Sequence, residues 1–243
     1  MVKLSFYNRQ GGKFYLKKDI IKRFPPDYKT YVEAFFGAGH VFFSIPKGEK
    51  EVINDKDKVI YNLLKDIQKI TADDIMEMNF RKSKARFEML RDSSPTTPKD
   101  RLYRYLYINF WSYRGNNRSF GDEPKTFNKR DLIKRLPLIQ ERLKGVTILN
   151  KDYSAVIKKY DSKDTLFYLD PPYYESDVTG YTHKEIDVEQ LKDLLMNIKG
   201  KFILSYNDHP YIRKLFSPFK IETIKVSYAL AHKPSSELII RNF

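Results

Sequence analysis

An apolar run, Thr165-Leu166-Phe167-Tyr168-Leu169, stops abruptly at Asp170-Pro171-Pro172-Tyr173. The run reads as a buried strand. Two successive prolines cannot continue a sheet ladder, and they stiffen the backbone that follows. The chain must therefore make a rigid loop at the C-terminal end of a strand, with a carboxylate on one side and an aromatic ring on the other. In open α/β sheets that end of the strands is where ligands bind. A flat polar ring fits between Tyr173 and Asp170. Alone, the tetrapeptide reads equally well as a proline turn with a solvated Asp and a packing Tyr.

Elsewhere the pattern alternates. Tyr31–Phe36 reads as a strand and is followed by Gly37-Ala38-Gly39 and a short apolar helix from His40. A second strand spans Glu51–Asn54, ending at Asp55. Val59, Ile60, Leu63, Leu64 and Ile67 then recur at helical spacing. Val146–Leu149 is a strand, with a helix around Val156-Ile157. After the proline loop come a helix over 188–198 and strands at Phe202–Ser205, Ile221–Val226 and Glu237–Ile240. Such alternation predicts an α/β fold with a mainly parallel sheet and helices on both faces. The span 72–145 interrupts it. There, 73–91 and 99–112 read as helices, 93–98 as a loop, and 113–131 as polar and turn-rich. This span reads as an inserted subdomain.

Charge singles out the same region. The 243-residue chain carries a formal charge of +14, and from Arg81 to Lys151 there are 18 Lys/Arg against 7 Asp/Glu. Clustered positive charge suits a polyanion, because neutralising phosphates releases counterions. No basic stretch has the clean apolar face of a membrane-surface helix. There is no cysteine, and the four histidines lack ligand spacing, so neither disulfides nor a metal site is expected. Neither a membrane-spanning stretch nor a signal peptide is recognisable, which points to a cytoplasmic protein without membrane association.

Two weaker signals join the proline loop. Gly37 and Gly39, where the first strand ends, allow close backbone approach to a ligand. Asp55, ending the next strand, is placed to hold ribose hydroxyls. Each has a plainer reading, as a turn and as a helix cap. Together with Asp170 they describe a site for a nucleoside-bearing cofactor beside a pocket for a flat base.

The motifs Gly11-Gly12-Lys13, Glu33-x-Phe35-x-Gly37-x-Gly39, Asn54-Asp55, Asp170-Pro171-Pro172-Tyr173 and Ser205-Tyr206-Asn207, with Ser236–Asn242 closing the chain, stand in the order seen in Dam-like DNA adenine-N6 methyltransferases. The chain resembles that family, the alpha-group, D12-class enzymes, over nearly its whole length. The resemblance implies a Rossmann-like sheet that uses S-adenosylmethionine (SAM), with residues 1–71 and 146–243 as catalytic domain and 72–145 as target-recognition insertion. It implies that Lys13 approaches the cofactor's methionine end, that Asp55 binds its ribose, that Phe35, Gly37 and Gly39 line its pocket, that Asp152 lies near its adenine, and that Asp170 touches both cofactor and target. Arg9 stands where the family usually has an aromatic residue at a cofactor contact, and Tyr7 is the nearby ring that could substitute.

Tyr113-Arg114-Gly115-Asn116-Asn117-Arg118 resembles the family's DNA-reading loop. By that resemblance Tyr113 wedges into double-stranded DNA and Arg118 reads guanine, with Arg114, Asn116 and Asn117 beside them. Phe127-Asn128-Lys129-Arg130 follows in place of the Pro-Phe-Gly of GATC enzymes, so GATC specificity is not implied. The chemistry expected is transfer of a methyl group from SAM to the N6 amine of a flipped adenine. Asp170 and the Pro171 carbonyl would hold the amine, Pro172 would stiffen the loop and Tyr173 would stack on the base, with no metal. Amino-methylation of cytosine-N4 or of RNA adenine, and a DNA-binding relative without catalysis, are the alternatives. A cognate restriction endonuclease acting separately fits the same reading.

Overall fold

The computed structural model describes residues 4–7, 13–174, 186–226 and 235–243, with Arg114, Val226 and Ser235 described by their backbone alone. Arg9 and Gly11-Gly12 therefore lie outside the described residues. Two compact units emerge. A sheet unit comprises 13–36, 45–56 and 146–243; a helical unit comprises 1–12, 37–44 and 57–145.

The sheet unit contains seven strands: β1 (Thr30–Glu33), β2 (Lys50–Asn54), β3 (Thr147–Leu149), β4 (Thr165–Leu169), β5 (Lys201–Asn207), β6 (Lys220–Val226) and β7 (Ser235–Arg241). Their spatial order is β3-β2-β1-β4-β5-β7-β6. The first five run parallel. β7 enters between β5 and β6, antiparallel to both. This is a Rossmann-like sheet, and the expectation of an α/β architecture holds.

Why these strands form is visible in their burial. A sheet covered on both faces needs apolar residues at consecutive positions rather than at alternate ones. All five residues of β4 are buried, as is β5 from Phe202 to Tyr206. Val32, Phe167, Phe202, Leu204, Leu238 and Ile240 share one core cluster with Val156 of α7 (Tyr153–Tyr160), Leu191 of α8 (Val188–Met196) and Ile212 of α9 (Pro210–Leu215). Their neighbours along the strands point to the opposite face, where Phe24, just past α1 (Lys17–Ile21), stacks on Tyr31 at 5.8 Å.

In the helical unit, α2 (Lys58–Asp66) and α4 (Lys84–Asp92) pack on α5 (Pro98–Trp111), α6 (Lys129–Leu143) packs on a 3-10 turn at Ile67–Lys69, and α3 (Ala72–Glu77) packs on α6. The helices start where side chains cap them: Asp57, Thr71, Ser83, Thr97 and Asn128 each accept a backbone N–H of the first turn. Arg101 grips the buried Asp66 with two hydrogen bonds of 2.6 and 2.8 Å. That pair ties α2 to α5 within the helical unit.

Three differences from the sequence reading have local causes. The helix expected over 73–91 breaks at 78–83, where the Asn79 side chain accepts the Arg81 N–H and Ser83 caps a new helix. α6 was not anticipated. Pro137 lies inside it, yet Leu132, Leu136, Ile139 and Leu143 are buried at helical spacing, and that stripe outweighs one interior proline. α9 is a short helix begun by Pro210 at its first turn.

Gly200 enters β5 pressed against the start of β4. A Cβ there would lie 2.8 Å from the Thr165 carbonyl oxygen and 2.9 Å from that of Ser162. Because both are backbone atoms, neither can swing aside. Gly200→Ala is expected to cost about 1–3 kcal/mol, read as a lower urea midpoint at unchanged slope. An unchanged midpoint would show that the strand start is looser than described.

Candidate active site

Strand register builds the site. Glu33, Ile53 and Tyr168 lie side by side on β1, β2 and β4. Two residues beyond each come Phe35, Asp55 and Asp170, so one edge of the sheet gathers three of the residues singled out from sequence. Phe35 is tilted against Tyr153, with ring centroids 5.2 Å apart. Asp55 is buried, its N–H donating to the Leu149 carbonyl at 3.3 Å and its own carbonyl accepting from the Asn150 amide at 2.8 Å. Asp152 caps α7 through the Ser154 N–H and pairs with Lys56 at 3.2 Å. Burial pushes its carboxyl up, but the hydrogen bonds from Ser154 and Lys56 outweigh burial and hold it below the usual range. Gly37 and Gly39 belong to the helical unit, and both need positive φ, at 51° and 64°. Within that unit the Tyr7 hydroxyl donates to the Gly37 carbonyl and the Ser5 hydroxyl to that of Ala38.

Around the proline loop Asp170, Pro172, Tyr173 and Tyr174 are held by side chains from β5 or β7, or from the segment before α1. Ser205 donates to the Asp170 carboxylate at 3.0 Å. The Tyr206 hydroxyl donates to the Pro172 carbonyl at 3.1 Å, and the Asn207 amide to that of Tyr174 at 3.0 Å. Tyr173 donates its hydroxyl to Glu237 at 2.6 Å and stacks on Tyr206 at 5.6 Å. Lys13, itself buried, reaches Asp170 at 2.8 Å and Glu237 at 3.7 Å, with its ammonium 4.7 Å from the centre of the Tyr173 ring.

Electrostatics follow from that crowding. Desolvation lifts the Asp170 carboxyl above the ordinary aspartate value; Lys13 opposes this, Glu237 adds to it, and the Ser205 hydroxyl opposes it again. Burial, with Asp170 and Glu237 nearby, pushes the Tyr173 hydroxyl well up. It therefore stays a hydrogen-bond donor at any working pH. The Tyr168 hydroxyl, hydrogen-bonded with Ser205 at 3.1 Å, lies within electrostatic reach of Asp170, Glu33 and Glu237.

The helical unit holds the other predicted set. Tyr113 opens a 3-10 turn (Tyr113–Gly115) and is 48 % exposed. Trp111, by contrast, is buried and donates its indole N–H to the Phe80 carbonyl at 3.1 Å. The loop is closed by Tyr113 N–H to Ser119 carbonyl at 2.8 Å and Gly121 N–H to Trp111 carbonyl at 2.7 Å. Asn116 is engaged inside the loop, accepting the Arg118 and Ser119 N–H groups, and Asn117, at φ 58°, accepts from Asn109. Arg118 is exposed. For Arg114 the backbone alone is described.

Sequence reading missed Glu237 and gave no role to Ser205, Tyr206 or Asn207. The signal was faint. A lone glutamate in a strand reads as solvated, and its approach to Tyr173 depends on the Asn207–Glu237 pairing of β5 with β7.

An acidic, aromatic loop thus sits at the C-terminal edge of a Rossmann-like sheet. Residues 10–230 match the model of the D12 class N6 adenine-specific DNA methyltransferases, and the chain belongs to that family. It is 25 % identical to a DNA adenine methylase of Haemophilus influenzae, over 97 % of this chain and 91 % of that protein. It is 27 % identical to the type II methyltransferase M1.LlaDCHI of Lactococcus lactis subsp. cremoris, over 96 % and 93 %. With the type II methyltransferase M.CviBI of Paramecium bursaria Chlorella virus NC1A it shares 26 %, over 84 % of each. No helix among the described residues is long and apolar enough to cross a membrane, and no group of three His, Cys, Asp or Glu among them could hold a metal ion.

Ser205 offers a direct check on the electrostatics. Its hydroxyl favours the charged form of Asp170. Ser205→Ala is therefore expected to move the Asp170 titration to higher pH, followed by NMR of 13C-labelled aspartate. A shift to lower pH would contradict the assignment.

Proposed function

We propose that this chain transfers the methyl group of SAM to the N6 amine of an adenine flipped out of double-stranded DNA. The observation that carries the reading is the Lys13–Asp170–Tyr173 arrangement: a half-buried carboxylate paired with a buried ammonium beside an aromatic ring, on one proline-stiffened turn. Asp170, Glu237 and the Tyr173 ring suit positive charge, as the Lys13 ammonium among them illustrates. That character fits a sulfonium cofactor. Asp170 and Lys13 would hold its methionine end, Asp55 its ribose, and Phe35 and Asp152 the surroundings of its adenine. When bound, SAM supplies a methyl group on a positively charged sulfur.

The protein's own part is positioning. An adenine amine is a weak nucleophile because its lone pair is delocalised into the ring. Asp170 and the Pro171 carbonyl accept its two N–H bonds and turn the lone pair toward the methyl group. Tyr173 stacks on the base and offsets part of the unstacking cost, by about 1–3 kcal/mol. The Lys13 ammonium pairs with Asp170 at 2.8 Å, and an amine that took up the same carboxylate oxygen would displace it. Transfer is then a direct in-line displacement aided by orientation and by charge placed ahead of the reaction.

In this reading the helical unit grips DNA. Its basic surface supplies the salt-dependent affinity, exposed Tyr113 is the wedge, and Arg118 reads a guanine edge. The type II names of two relatives support a restriction-modification setting.

Single-molecule methylome sequencing of DNA from cells expressing the chain tests this directly. N6-methyladenine in one short motif is expected; N4-methylcytosine, or no modification, would overturn the reading. Arg118→Ala should relax one position of that motif, a loss of about 1–3 kcal/mol in discrimination, rather than weaken methylation at all sites equally.

Asp170→Asn should abolish transfer without unfolding the protein. Because the folded-state pKa of Asp170 is raised, the wild-type protein loses the stability this carboxyl contributes as pH rises from the ordinary aspartate value through the folded one. The Asn variant cannot ionise there and should lack that part of the pH dependence in thermal melts taken across the window. An identical pH dependence in both proteins would contradict the sign.

A further inference from the structure

We propose that Glu237 is a positioning residue for methyl transfer, fixing the tilt of the Tyr173 ring through the tyrosine hydroxyl. The inference rests on the reading that Tyr173 is the platform for the target base.

A tyrosine ring has two soft rotations, and stacking constrains them incompletely. Contact with Tyr206, at 5.6 Å and 23° between planes, limits rotation about the ring's long axis. It leaves the direction of that axis free to rock. A hydrogen bond at the para position removes the remaining freedom, because the hydroxyl lies on the axis itself. Glu237 supplies this bond at 2.6 Å, the length of a charge-assisted O–H···O contact. Its carboxylate is almost fully buried, at 4 % exposure, so water competes poorly for the hydroxyl.

The carboxylate is itself anchored. Glu237 lies on β7, paired with Asn207 of β5, two residues beyond Ser205, which pairs with Ile239. Ser205 holds Asp170, and Tyr206 holds the Pro172 carbonyl. One antiparallel strand pair thus aligns the amine acceptor, the loop backbone and the stacking ring. Glu237 also lies 3.7 Å from the Lys13 ammonium. When Lys13 leaves Asp170, Glu237 is the carboxylate already beside it, able to keep the buried cation paired as the base arrives.

The test is a double-mutant cycle of Tyr173→Phe and Glu237→Gln, run with tritiated SAM and DNA carrying the mapped site under single-turnover conditions. Tyr173→Phe removes the donor and keeps the ring; Glu237→Gln keeps shape and an acceptor oxygen but no charge. Each is expected to slow transfer about tenfold, or about 1.4 kcal/mol, with the KM for SAM unchanged. The double variant should be no slower than the slower single one. DNA with 2-aminopurine at the target should still become fluorescent on flipping, but quench less in both variants, since a rocking ring stacks poorly. Thermal melts of all four proteins identify any loss that is merely unfolding. If Glu237→Gln transfers at the wild-type rate, or if the two losses multiply, the inference fails while the site reading stands. If the wild-type chain itself places no label in adenine, the site reading fails and takes the inference with it.

Discussion

The hydrogen bond from Ser205 to Asp170 ties the chemistry to the fold. It joins a loop that follows β4 to the middle of β5, so it exists only because Leu169 pairs with Leu204 in a parallel register. A slip of one residue would turn Ser205 to the other face of the sheet, and Asp170 would lose the donor that favours its charged form. Burial already pushes that carboxyl toward neutrality. Retaining charge at the loop depends on Ser205 and Lys13 together.

The same strand pair explains why the loop needs no plasticity of its own. Pro171 and Pro172 limit the backbone, and side chains of β5 and β7 bind what the prolines leave: the Pro172 carbonyl, the Tyr174 carbonyl and the Tyr173 hydroxyl. Sites supported by strands hold their geometry better than sites on free loops. Here the most buried part of the sheet and the most polar part of the site share residues: Tyr168 and Ser205 are both almost inaccessible and both face Asp170.

Much of this was legible in the sequence. The β4 run was read with its true ends, because five apolar residues before two prolines leave little choice. Asp55 and Asp170 were read as strand ends on one edge, and the β1, β2 and β4 register brings them to matching heights with Phe35. What stayed hidden depends on contacts distant in sequence. Glu237 meets Tyr173 across 64 positions, and nothing near either residue announces the other. α6 was not singled out, although Leu132, Leu136, Ile139 and Leu143 form a buried stripe at helical spacing around an interior proline.

The central claim is that the Asp170–Tyr173 loop directs a methyl group onto the adenine amine. The most direct measurement is nucleoside analysis of DNA labelled by the purified protein with tritiated SAM. The account predicts label in N6-methyldeoxyadenosine alone, and none with Asp170→Asn. Label in N4-methyldeoxycytidine, or undiminished label with Asp170→Asn, would contradict it.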